Sequence, residues 1–389
     1  MLYFDHNATT PLAPQVAEAL AAASRDVFGN ASSTHRAGQL ARQHLENSRR
    51  TVAGSIHASP SEIVFTSGGT ESNNLAILGL LRNWPATARH VVTTAIEHPS
   101  VLEAFHYLER QGVAVTYLRA GSCGLVDLDE LARCLRDDTV LVSVMHANNE
   151  IGTIQPISRI AALLRARRAA GQQIYLHSDG VQALGKMAID LPALGADLYS
   201  ISAHKVHGPK GVGALFVRKG VPLRGIQYGG RHERERRPGT ENVPAAIAFA
   251  RALELSPHTA APIAEMRDRF EARVLAALPD VEINGSTSAR LPNTSNLLFR
   301  GISGEALVIA LDMKGIAVST GSACSSGSIE PSHVLLAIGR SRQEAKSSLR
   351  FSFGRYNTLE DAGALADAVV TSARQLRNRI RPEAHLVPA

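Results

Sequence analysis

Hydrophobic positions recur at helical spacing over residues 36–56, with Leu40, Leu45, Val52 and Ile56 near one face, which predicts an amphipathic helix packed on a core. The next run, Glu62-Ile63-Val64-Phe65-Thr66, is short, β-branched and aromatic, and reads as a strand. Residues 71–82 read as a second helix. Strand-like runs follow at 90–96, 113–119, 139–146, 173–179, 198–204 and 213–218, with helical patterns at 99–111, 127–136 and 156–170 separating several of them. Such alternation predicts an α/β fold with a mostly parallel central sheet and helices on both faces, because parallel strands need crossovers and the crossovers lie on those faces.

After residue 257 the alternation loses its regularity. The apolar stretch 305–311 leads into Ser319-Thr320-Gly321-Ser322-Ala323-Cys324-Ser325-Ser326-Gly327-Ser328, which reads as a mobile loop. The expected organisation is a large domain over 14–257 and a smaller α+β domain built from 258–389 together with the extended segment 1–13. No internal repeat is visible.

Polar residues cluster just beyond the carboxyl ends of the expected strands, where open α/β sheets bind ligands. They are Ser67-Gly68-Gly69-Thr70-Glu71, Glu97-His98, Asn148-Asn149-Glu150, Asp179, and Ser202-Ala203-His204-Lys205. Five clusters at one edge point to a site there.

Composition narrows the possibilities. At 389 residues, 44% hydrophobic and 20% charged, the chain suits a globular protein of two units. No run approaches the roughly 18 apolar residues that span a bilayer, and Met1-Leu2-Tyr3-Phe4-Asp5-His6 lacks the pattern of a signal peptide. The formal charge of +6 is dispersed, and the densest stretch, 231–237, mixes both signs without aromatics. Nucleic-acid and membrane binding are therefore not expected. Cys123, Cys134 and Cys324 form no C-x-x-C pair, so neither a disulfide framework nor a metal site is expected, and a cytoplasmic location fits.

The chemistry begins with Lys205. A lysine beside a strand end in a ligand crevice is desolvated, which makes its amine an imine-forming nucleophile; the alternative is a solvated loop lysine, which Lys210 fits better. Asp179 closes an apolar strand, where it suits the protonated pyridine nitrogen of pyridoxal phosphate (PLP) or else a helix N-cap. Gln182, three residues on, suits that cofactor's phenolic oxygen. Gly68-Gly69-Thr70, between strand and helix, offers N–H groups and a hydroxyl to a phosphate, or is simply a tight turn. Ser202 and His204 add possible phosphate contacts. His98 suits ring stacking and proton relay, or is a helix-start histidine fixed by Pro99. Cys324, among small residues, suits a thiolate nucleophile, against the alternative of an inert thiol; Cys123 and Cys134 read as structural.

These residues in this order resemble the cysteine desulfurases of the NifS/IscS type, PLP enzymes of fold type I. The likeness covers Tyr3-Phe4-Asp5-His6-Asn7-Ala8-Thr9-Thr10-Pro11, Gly29-Asn30-Ala31-Ser32-Ser33, and residues 66–74, 97–98, 146–152, 179–182, 202–211 and 229–242. It closes with Gly321-Ser322-Ala323-Cys324 and Ser348-Leu349-Arg350-Phe351-Ser352. The resemblance implies that Lys205 holds PLP and moves the substrate's Cα proton, and that His98 stacks on the ring and assists. It implies that Asp179 pairs with the ring nitrogen, Asn149 and Gln182 bind the phenolic oxygen, and Gly69, Thr70, Ser202 and His204 bind phosphate. Thr240 would reach the phosphate from the partner copy of a homodimer. Arg350 and Asn30 would hold the carboxylate of L-cysteine, and Cys324 would take its sulfur as a persulfide, leaving alanine, for an acceptor such as an iron–sulfur scaffold. Ala31 and Pro238 depart from the family pattern, which often has proline and a small residue there. A selenocysteine lyase or another fold type I enzyme would share Lys205 and Asp179 without needing Cys324, and a sulfur-relay docking scaffold would need none of the set.

Overall fold

A computed structural model describes residues 1–85, 89–256, 260–320 and 330–380. The strands in chain order are β1 (Leu2–Tyr3), β2 (Ile63–Thr66), β3 (His90–Thr94), β4 (Ala114–Leu118), β5 (Thr139–Ser143), β6 (Tyr175–Asp179), β7 (Leu198–Ser202), β8 (Gly213–Val217), β9 (Val281–Ile283), β10 (Thr294–Phe299), β11 (Ile316–Ala317) and β12 (Ser348–Ser352). Seven form one sheet in the order β2-β8-β7-β6-β5-β3-β4. Neighbours are parallel except at β8, which is antiparallel to both β2 and β7. The other six therefore end at one edge, which carries Thr66, Thr94, Leu118, Ser143, Asp179 and Ser202.

Alternation of side chains sorts the sheet's residues onto two faces. Ile63, Phe65, Tyr199, Ile201, Ala214 and Phe216 share a core with Val16, Ala41, Leu45, Val52 and Phe249 of helices Pro14–Asp26, Arg36–Gly54 and Val243–Glu254. Val64, Leu198, Leu215 and Val217 pack with Leu75 and Ile77 of Gly69–Leu81 and Phe105 of Pro99–Arg110 on the other side. Helices on both faces explain why β5, β7 and β8 are buried throughout, whereas β4, at one edge, is half-buried.

A second core gathers Phe4, Phe270, Val274, Leu297, Phe299, Leu307, Phe351, Phe353 and Leu365. It lies between the antiparallel sheet β12-β10-β9 and the helices Ala260–Ala277, Gly304–Asp312 and Leu359–Ile380. The N-terminal segment joins it: β1 pairs in parallel with β11, and Asp5 bridges to Ser352. Among the described residues no helix is long and apolar enough to cross a membrane.

Several elements end sooner than the sequence pattern suggests. The first long helix stops at Gly54, not Ile56, and β3, β5 and β7 stop at Thr94, Ser143 and Ser202. The residues released from β3 and β7 form turns, with residues 203–205 in one turn of 3-10 helix.

Candidate active site

Asp179, the last residue of β6, is 6% exposed. Its Oδ2 accepts from Asn73 Nδ2 at 2.8 Å and its Oδ1 from the Val181 N–H at 3.0 Å. Asn73 stands one helical turn after Thr70, and its amide also donates to Ser100 Oγ at 2.9 Å. Ser100 Oγ lies 2.8 Å from His98 Nδ1, and the Ser100 N–H donates to the same nitrogen at 3.1 Å. A backbone N–H can only donate, so Nδ1 is the bare nitrogen and the neutral ring carries its proton on Nε2. Desolvation by the surrounding protein lowers the His98 pKa, although the residue opens on the cleft; Asp179 opposes the shift, and Lys205 and His333 add to it.

Lys205 closes the 3-10 turn after β7. Its Nζ donates to the carbonyls of Asn7 and Ala8, at 2.6 Å each. Burial, helped by the Arg350 cation and opposed by Asp179 and Asp5, pushes its amine down to about 8. About a tenth is then the free base at pH 7, far more than for an ordinary lysine. Gln182 Nε2 donates to the same Asn7 carbonyl at 3.0 Å. His204 Nδ1 lies 3.1 Å from Thr9 Oγ1; burial, then the neighbouring lysines, lower its pKa to about 4.

Helix Gly69–Leu81 starts at Gly68, whose φ of 154° and ψ of −174° lie where only glycine rests without strain. Ser202 is 1% exposed and its hydroxyl has no hydrogen-bond partner among the described residues. That oxygen lies 3.8 Å from where a Cβ on Gly68 would stand.

One pocket is lined by Gly69, Thr70, Asn73, His98, Asn149, Asp179, Gln182, His204 and Lys205. An adjoining chamber shares His98, Asn149, Gln182 and Lys205 and adds Glu150, His333 and Arg350. Arg350, on β12, is 3% exposed. It donates from Nη1 to the Asn149 carbonyl at 2.9 Å and from Nη2 to Asp5 Oδ1 at 2.7 Å, while its Nε has no partner among the described residues. The residues flanking the serine-rich run reach this chamber. Ser319 exchanges two backbone hydrogen bonds with Arg350, and Ser332 Oγ donates to the buried Glu150 at 2.5 Å.

The fold thus brings together eight of the residues singled out in the sequence, with Ser202 beneath Gly68 and Arg350 next door. Asn30 and Thr240 are exposed and line neither pocket; Asn30 instead accepts from the Ser32 N–H at 2.8 Å. Cys324 lies outside the described residues. Sequence reasoning gave no role to Asn7, Asn73, Ser100, Lys186 or His333. Asn73 and Lys186 carried a signal, standing three and four residues after Thr70 and Gln182.

The family profile of class-V aminotransferases matches residues 2–365. The cysteine desulfurase IscS of Dictyoglomus turgidum is 44% identical over 380 residues, 97% of this chain and 95% of that protein. A solved NifS-like protein superposes with a TM-score of 0.89 at 37% identity, over 96% of this chain and 100% of the other. SspA, solved in complex with cysteine, gives 0.82 at 34% identity, over 92% of this chain and 100% of its own. The chain belongs to the class-V aminotransferases, a family of PLP enzymes. Within that family it stands with the cysteine desulfurases of the NifS and IscS type.

The pocket suits PLP. A buried carboxylate suits a protonated ring nitrogen, and an amine of lowered pKa suits an aldehyde. The unpartnered Ser202 hydroxyl beside a glycine-led helix N-terminus suits a phosphate.

Proposed function

We propose that the chain converts L-cysteine to L-alanine and carries the sulfur away as a persulfide on Cys324, for delivery to iron–sulfur cluster assembly. The observation that carries this reading is one pocket holding Lys205 with its amine near 8, the buried Asp179 and a His98 of fixed tautomer. PLP held on Lys205 supplies the electron sink that makes the substrate's Cα proton removable. Asp179 keeps the ring nitrogen protonated, and Asn149 and Gln182 bind the phenolic oxygen. Gly69, Thr70, Ser202 and His204 hold the phosphate. Arg350, with Asn30, grips the substrate carboxylate through the paired N–H geometry to which guanidinium is suited. Lys205 Nζ moves the Cα proton, and His98, stacked on the ring, assists from Nε2. The Cys324 thiolate attacks the substrate sulfur, whose bond to Cβ breaks with its electron pair left on carbon, and Cβ takes up a proton to become the methyl group of alanine. In favour of that role, Ser319 and Ser332, on either side of Cys324 in sequence, are tied to Arg350 and Glu150 beside the chamber.

The reading extends to a cytoplasmic homodimer in which Thr240 completes the phosphate site of the other copy. Its support is segment 229–242, pinned where the Glu233 carboxylate takes two 2.7 Å contacts from Arg49 and a 2.8 Å bond from the Phe65 N–H. Glu233, Arg234 and Glu235 all have positive φ, 45°, 57° and 64°, a run that costs roughly 1–2 kcal/mol per residue and needs such a clamp. Segments 1–13 and 258–389 are proposed as the smaller domain, in keeping with the second core.

Mass spectrometry after exposure to L-cysteine tests the central reading. The Cys324 peptide should gain one sulfur while alanine appears, and Cys324→Ser should bind PLP and L-cysteine yet yield almost no alanine. Sulfide release by Cys324→Ser at the wild-type rate would instead mean a lyase that works without a protein thiol.

A further inference from the structure

Lys186 and Gln182 meet edge to edge behind the pocket. Lys186 Nζ donates to Gln182 Oε1 at 2.5 Å and to Asn7 Oδ1 at 2.9 Å. Neither partner is a carboxylate. Burial, reinforced by the Lys205 and Arg350 cations, pushes the Lys186 amine well below its ordinary range. Nζ thus spends two of its N–H bonds on these two oxygens.

The second acceptor is itself fixed. Asn7 Oδ1 also accepts from Asn293 Nδ2 at 2.9 Å, while Asn7 Nδ2 donates to Thr294 Oγ1 at 2.9 Å and to the Asn149 carbonyl at 3.1 Å. Lys186 is therefore held in place by a group that cannot turn, and it presents its other N–H to Gln182. A carboxamide is nearly symmetric in shape, and its two orientations differ only in their hydrogen-bond partners. With its oxygen on Lys186, Gln182 has one N–H on the Asn7 carbonyl at 3.0 Å and a second N–H left for the pocket it lines. Turned over, it would set an NH2 group against the N–H that Lys186 now donates, and its oxygen against the Asn7 carbonyl.

We propose that Lys186 is a positioning residue that locks the Gln182 amide so that an N–H, and never the oxygen, faces the phenolic oxygen of PLP. This rests on the cofactor reading above. With Lys186 gone, only the Asn7 carbonyl still opposes the turned-over amide, so Gln182 turns its carbonyl toward the phenolic oxygen more often, acceptor against acceptor, and the ionised form of that oxygen loses ground to the protonated form.

The test is the ratio of two absorbance bands in PLP-loaded protein at fixed pH: the longer-wavelength band of the ionised phenolic oxygen over the shorter-wavelength band of the protonated one. Lys186→Met should lower this ratio roughly three- to tenfold, the worth of one hydrogen bond, and speed PLP release. Gln182→Leu should lower it similarly, and Lys186→Met should add nothing in the Gln182→Leu background, since one acts through the other. Lys186→Gln, which can offer an N–H to Gln182, should recover part of the ratio. If Lys186→Met does not fold, Lys186→Thr, too short to reach Gln182, carries the same expectation. A wild-type ratio in the Met or Thr variant, or additive effects of the Lys186 and Gln182 substitutions, would overturn the proposal. Borohydride that attaches no pyridoxyl group to Lys205 in the wild type would overturn the cofactor reading instead.

Discussion

Lys205 shows how competing influences set one amine. Burial and Arg350 lower its pKa, Asp179 and Asp5 raise it, and about 8 is the balance. A depressed lysine pKa means that the free base, the form that attacks an aldehyde, builds up as pH rises through 8. PLP uptake by the apo-protein should therefore quicken roughly tenfold between pH 7 and 9 and then level off. Stopped-flow absorbance reads this rate; one that still climbs beyond pH 10 would be that of an ordinary exposed lysine. Lys205, Asp179, His98 and Gln182 were legible in the sequence because each follows a strand and carries a group with few reasons to be there. Ser100 was not, because its meaning lies in facing Asn73 across two helices, and Asn73 signalled no more than its place one turn after Thr70. The tautomer of His98 follows from a contact two residues along, where the Ser100 N–H donates to Nδ1 at the helix start.

At the scale of elements, hydrophobic periodicity located the strands of the large sheet and five of its helices to within a few residues, and missed the helices Pro14–Asp26 and Val243–Glu254 and the points where strands give way to site loops. Thr94 and Ser143 end β3 and β5, although apolar residues such as Ile96 and Met145 follow, because polar tethers take over there. Glu97 supplies two of them: its Oε1 accepts from Thr94 Oγ1 and from the Met145 N–H, both at 2.8 Å. The reversed direction of β8 was within reach of the sequence, since only ten residues separate it from β7 and a parallel crossover needs a dozen or more. Glu97 also makes these loop ends sensitive to pH. Burial raises its carboxyl from 4.5 to about 8, so between those values the folded chain keeps a proton that the unfolded chain has lost. Stability then falls as pH rises through that window. Glu97→Gln, which keeps the accepting oxygen and cannot ionise, should melt close to the wild type near pH 5 and a few degrees above it at pH 9. Parallel melting curves at the two pH values would show that Glu97 ionises freely and that its burial is relieved in solution.

For the whole molecule, the exposed Thr240 and the clamped segment around Glu233 give the dimer proposal a quantitative form. A Lys205→Ala protomer paired with a Thr240→Ala protomer has one site with both defects and one with neither. Random mixing should leave roughly a quarter of all sites intact, whereas Thr240→Ala alone should weaken PLP binding about tenfold through the lost phosphate contact. Activity in the mixture no higher than the average of the two parents would mean that each chain completes its own site. Such sharing could not be read from the sequence residue by residue, because Thr240 has no chemistry of its own to advertise. The N-terminal segment has a different consequence, one of time. Asp5 bonds to Arg350 across 345 positions, and the backbone of Asn7 and Ala8 is what Lys205 rests against. At translation rates of about 5–20 residues per second, roughly 20–70 s pass between the synthesis of Asp5 and that of Arg350. Contacts this distant along the chain are also slow to form once both partners exist. A nascent chain stalled before β12 would hold Lys205 with its ceiling unfastened, so secure capture of the cofactor has to wait until β12 has been made.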